Sequence, residues 1–160
     1  VAQDWDTFAV ITGSAAGALT GLLFVAVSLI RDRIARHDGL RSQAGQTLVL
    51  FALPLLLSIL LVLPGLSAAV LGGGLVLLGL VIAAAMALIG HGVKAGGEGS
   101  DDRLARLVDR VSPNMVVVLF LFVGGGLQLA GDDGLYWAAG SGTLALVSGM
   151  VNAWLFLVRS

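Results

Sequence analysis

The chain has 160 residues, is 58% hydrophobic and only 12% charged, carries a formal net charge of −1 and has no cysteine. Soluble domains run at about a quarter charged residues, so composition excludes an ordinary water-soluble globule. The lack of thiols excludes disulfides, thiolate metal sites and cysteine catalysis.

Five apolar segments alternate with short polar ones. The first covers residues 8–30, and at about 1.5 Å per residue it spans a hydrocarbon core of about 30 Å. Trp5 stands just outside it as an interfacial anchor. The segment is long for a signal peptide and its flank is acidic, so no cleavable signal is expected. The helix is expected to continue through Arg31, Arg33 and Arg36 and to stop at Asp38-Gly39.

The second segment covers residues 44–63, with Ser42 as candidate N-cap and Pro54 as an expected kink. Pro64-Gly65 then predicts a tight turn. The third covers residues 66–89 and is loosened by Gly72-Gly73-Gly74. A Gly-rich stretch follows His91. Leu104, Leu107, Val108 and Val111 then fall at i, i+3, i+4 and i+7, which predicts an amphipathic helix capped by Ser100. It either lies on the inner membrane surface or extends the fourth segment. That fourth segment starts after Pro113 and runs to Ala130, interrupted by Gly124-Gly125-Gly126. A turn through Gly131-Asp132-Asp133-Gly134 leads into the fifth, residues 135–158, with Tyr136 and Trp137 at the interface.

This alternation sorts charge. Arg31, Arg33, Arg36, Arg41, Lys94, Arg103, Arg106, Arg110 and Arg159 all fall on one face, and Asp4, Asp6, Asp132 and Asp133 on the other. Basic loops mark the cytoplasmic side, so the pattern predicts five spans with the N-terminus outside and the C-terminus inside. Arg31, Arg33, Arg36, Arg41, Arg103, Arg106 and Arg110 are expected to contact anionic lipid headgroups. No internal repeat and no inverted correspondence between segments is apparent.

Gly13, Gly17 and Gly21 form two overlapping GxxxG steps, and Ser141, Ala145 and Gly149 repeat the spacing in the fifth segment. Small residues at that spacing let helix backbones approach closely, within one bundle or between chains. No ionisable residue falls inside the spans, so proton relays and intramembrane carboxylate catalysis have no candidates. Gln46, Gln128 and Asn152 are the costly intramembrane amides. Gln46 and Asn152 both lie in the inner half, at a depth that allows them to pair between the second and fifth segments. Gln128 lies within reach of Ser14 or Ser141 by depth. These three are either interhelical glue or the lining of a pore.

Serine hydrolysis needs a Ser and a His at one depth, and here they lie at opposite faces. His37 and His91 are too scattered for a metal site. The Gly-rich stretch after Gly90 lacks the GK[ST] ending of a phosphate loop. No catalytic residue, metal or cofactor is expected.

The run from Trp5-Asp6-Thr7-Phe8 through "AVITGSAAGALTGLLFVAVSLIRDRI" to "QTLVLFALPLLLSILLVLPG" resembles a family of small bacterial integral membrane proteins, common in actinobacteria and often labelled modulators of FtsH protease. The likeness covers roughly the first 65 residues well and the remainder in layout. It implies a bacterial inner-membrane setting, and it marks the GxxxG helix and the Arg31, Arg33 and Arg36 exit as shared features. The better-known protease modulators have more spans than the five read here.

The sequence thus predicts an all-α, multi-pass membrane bundle forming one domain. It is expected to be non-enzymatic, acting through helix contacts as an accessory or regulatory subunit of a membrane complex. The alternative is a homo-oligomeric channel. Membrane lipids and another membrane protein or a second copy are the expected partners, with no nucleic acid. A third reading, a lipid or quinone held between helices, has apolar volume alone behind it.

Overall fold

The computed structural model describes residues 2–29, 38–91 and 113–159. All five elements within them are α-helices: α1 (Ala2–Leu29), α2 (Asp38–Val62), α3 (Ala68–His91), α4 (Pro113–Ala130) and α5 (Leu135–Arg159). Three of them hold spans long and apolar enough to cross a membrane, Trp5–Leu29, Gly39–Val62 and Ala68–Ile89, and Asn114–Ala130 is a shorter apolar helix. The expected amphipathic helix over 101–111 and the basic run 31–36 lie outside the described residues, as do Arg103, Arg106 and Arg110.

The helices do not share contacts equally. α2, α3, α4 and α5 close a ring of neighbours, and α1 lies outside it, packed along α2 and touching α5 lightly. The most apolar window of α1 is 17% buried, against 44% for that of α2. α2 is therefore the central element and α1 the peripheral one. The ring is filled rather than hollow: Leu50, Leu53 and Leu57 of α2, Leu75 of α3 and Val117 and Leu121 of α4 are fully buried.

Two expectations about the start of α2 are corrected. Asp38 and Gly39 do not end a helix but are the first described residues of α2, and Ser42 lies inside that helix rather than capping it. Leu40, Arg41 and Gln43 are good helix formers, so nothing after Gly39 delays the start. The Ser42 hydroxyl faces the end of α3 instead, 3.5 Å from the Ile89 carbonyl oxygen.

The two short turns follow from their residues. Gly65 takes φ +75° between α2 and α3, a conformation that costs glycine nothing. Ser67 then caps α3, its Oγ accepting from the Val70 N–H at 3.3 Å. At the end of α4, Gly131 has φ +89°. The Asp132 N–H donates to the Leu127 carbonyl at 3.0 Å and the Gly131 N–H to the Gln128 carbonyl at 3.3 Å. This is the Schellman closure that glycine in the left-handed region permits. Pro54 is fully buried within a continuous α2, and the Ser58 hydroxyl donates to its carbonyl at 2.7 Å.

Candidate helix-contact surface

The bundle has two ends. Trp5, Gly65, Gln128 and Leu135 meet at one, while Ser42 and Ile89 meet at the other. Trp5 stacks edge-on against Tyr136, with ring centroids 5.1 Å apart. Among the described residues the Trp5 end carries Asp6, Asp132 and Asp133 and no Lys or Arg, whereas exposed Arg41 lies toward the Ser42 end.

The triglycine runs, expected as loosening, are contact points. A methyl on Gly72 would lie 3.0 Å from the Gly125 carbonyl oxygen, and one on Gly74 3.0 Å from a Leu60 methyl. A methyl on Gly124 would lie 2.8 Å from the Gly134 carbonyl oxygen. Gly73 and Gly126 face open space. Each run therefore seats its own helix against two neighbours, α4 and α2 for the first, α3 and α5 for the second.

The GxxxG face of α1 divides. Gly13 is spent inside the chain, where a methyl would lie 3.0 Å from Ser58 Cβ. Beside it the Thr12 and Ser58 hydroxyls share a buried hydrogen bond of 3.0 Å. A methyl on Gly17 would meet a single side-chain atom of Leu55 at 4.0 Å, and one on Gly21 would meet nothing. Gly17 and Gly21 are exposed, as are Ser14 and Ala18. Four residues turn a helix by about 40° more than a full turn, so glycines spaced by four rotate off any straight contact line. Together Ser14, Gly17, Ala18 and Gly21 form a smooth, uncovered strip on the peripheral helix.

The matching residues of α5 face inward. Ser141, Ala145 and Gly149 are buried. The Ser141 hydroxyl donates to the Val117 carbonyl of α4 at 2.8 Å, and Gly149 lies under the Phe51 ring of α2.

The amides do not form the pairs that depth allows. Among the described residues no hydrogen bond joins Gln46 to Asn152, both of which are half-buried. Gln128 is not bonded to Ser14, which is exposed on α1, or to Ser141, whose hydroxyl is committed to Val117. Its Oε1 is buried without a partner. No group of three or more His, Asp or Glu residues suited to a metal occurs among the described residues. Ser58, which both Gly13 and Thr12 use, went unremarked as a contact residue in the sequence. Its position one turn after Pro54 is the available signal, since a hydroxyl there bonds back to the proline carbonyl.

Compared with family models, with curated proteins and with solved structures, the chain finds no match.

Proposed function

We propose that this chain is a non-enzymatic, multi-pass membrane protein that docks beside another membrane protein through the exposed strip of α1. The observation that carries the reading is the division of the glycine face: Gly13 is used internally, while Gly17 is brushed by one Leu55 atom at 4.0 Å and Gly21 has nothing near it. A helix gains packing from glycine in a membrane where a second backbone comes close, so an uncovered pair on the peripheral helix is suited to a partner helix. The light attachment of α1 to α5 leaves that side open to one.

The setting is a bilayer crossed five times, with the Trp5 end outside and the Ser42 end inside. Support comes from the three long apolar helices, the sorting of charge along the sequence and the placement of Tyr136 and Trp137 at the same end as Trp5, where amphipathic rings favour the interface. The likeness of the first 65 residues to small bacterial membrane proteins favours a bacterial inner membrane and a regulatory partner such as a membrane-anchored protease. A pore between copies has less support, because Gln128 is buried within its own bundle and cannot line a path between chains.

The test is Gly17→Leu. Gly17 is exposed and a Cβ there meets only one Leu55 atom, at 4.0 Å, so folding should persist while co-purification of the partner is lost.

A further inference from the structure

At the Trp5 end the α2–α3 turn stands away from the end of α4 and leaves a cavity of about 330 Å³. Its wall includes Leu60, Leu61, Leu71 and Leu135, with Trp5 among the residues around it and Gln128 as its amide. Gln128 is only 8% exposed, and its Oε1 has no hydrogen-bond partner. An amide in apolar surroundings is costly until something bonds it. The helix end holds the main chain of Gln128 in place. Gly131 closes the helix on the Gln128 main-chain carbonyl, and a methyl on Gly134 would press to 2.8 Å from the Gln128 main-chain nitrogen. An apolar cavity with one polar group on a rigid support has the composition of a small-molecule site.

The chemistry of the ligand follows from the same residues. An amide both accepts and donates, which matches a hydroxyl head. Asp132 and Asp133, exposed on the adjoining turn, disfavour an anion, and a cation would be stripped of water against leucines. We propose that this cavity binds an uncharged aliphatic molecule whose single hydroxyl hydrogen-bonds the Gln128 side chain. The source is either a free aliphatic alcohol or the hydroxyl of a neutral glycerolipid. The site is separate from the α1 strip and stands or falls independently of it.

The experiment is photo-crosslinking of the whole chain in phosphatidylcholine nanodiscs, using a diazirine-bearing decanol and the matching diazirine alkane, with labelled peptides mapped by mass spectrometry. The alcohol should label the segment from Leu60 to Leu71 in preference to the alkane, and excess unlabelled decanol should suppress it. Gln128→Leu should weaken that labelling about fivefold, the scale of one neutral hydrogen bond. Ala68→Phe fills the cavity from an exposed position and should block the labelling without disturbing the core. Suppression by diacylglycerol would assign the lipid source, and suppression by decanol alone the free alcohol. Equal labelling by alcohol and alkane, no suppression by decanol, or labelling unchanged in both variants would overturn the proposal.

Discussion

Gly72 and Gly125 meet reciprocally across the α3–α4 contact: a methyl built on either would lie 3.0 Å from the other's carbonyl oxygen. The obstacle is backbone on both sides, so neither helix can accept a side chain there without moving away. The contact is a property of the pair, and it ties together two segments that composition alone marks as weak helices.

The first prediction compares neighbours in one triglycine. Gly125→Ala would place its methyl 2.7 Å from a Val76 methyl carbon and 3.1 Å from the Val76 nitrogen. Overpacking of that kind costs about 1–3 kcal/mol. Gly126→Ala meets nothing, and alanine is the better helix former by about 1 kcal/mol. Unfolding in mild detergent titrated with sodium dodecyl sulfate should show Gly125→Ala destabilised and Gly126→Ala equal to or above the parent.

A second prediction concerns the seam between α1 and α2. Thr12→Val and Ser58→Ala each remove one end of the 3.0 Å hydroxyl pair. Interhelical hydrogen bonds in membranes couple by about 0.6 kcal/mol on average, because the separated helices find other partners. A double-mutant cycle should return a coupling of that order, and strictly additive losses would mean the bond contributes nothing.

Ser141 gives a third. Its hydroxyl is buried and satisfies the Val117 carbonyl at 2.8 Å, tying α5 to α4. Ser141→Ala should destabilise the bundle by about 0.5–1.5 kcal/mol. Ser148→Ala, at a half-buried position of the same helix, should cost less when measured by the same titration.

The existence and order of the five described helices were legible in the sequence, because a long apolar run needs no partner to be recognised. The start of α2 was not, since Arg41 and Gln43 are polar, and so break the apolar run, yet are good helix formers. The triglycines were misread for a related reason. A glycine shows in sequence what it lacks, whereas its effect at Gly72 or Gly124 lies in how near another helix comes. The α1 strip was visible as a spacing, but the separate fates of Gly13 and Gly17 depend on which way Ser58 and Leu55 of α2 face it. Gln128 was recognisable as a costly amide. That it goes unpaired depends on where α5 crosses α4: Ser141 meets that helix at Val117, about 16 Å along it from Gln128, which no spacing reveals.

The measurement that bears most directly on the account is native mass spectrometry of the chain extracted gently from its own membrane, beside Gly17→Leu and Gly13→Leu. The account predicts a mixed complex for the parent, loss of the partner from a still-folded Gly17→Leu chain, and disruption of the chain itself by Gly13→Leu. A partner retained in full by Gly17→Leu, or a parent found with no partner but itself, would contradict it.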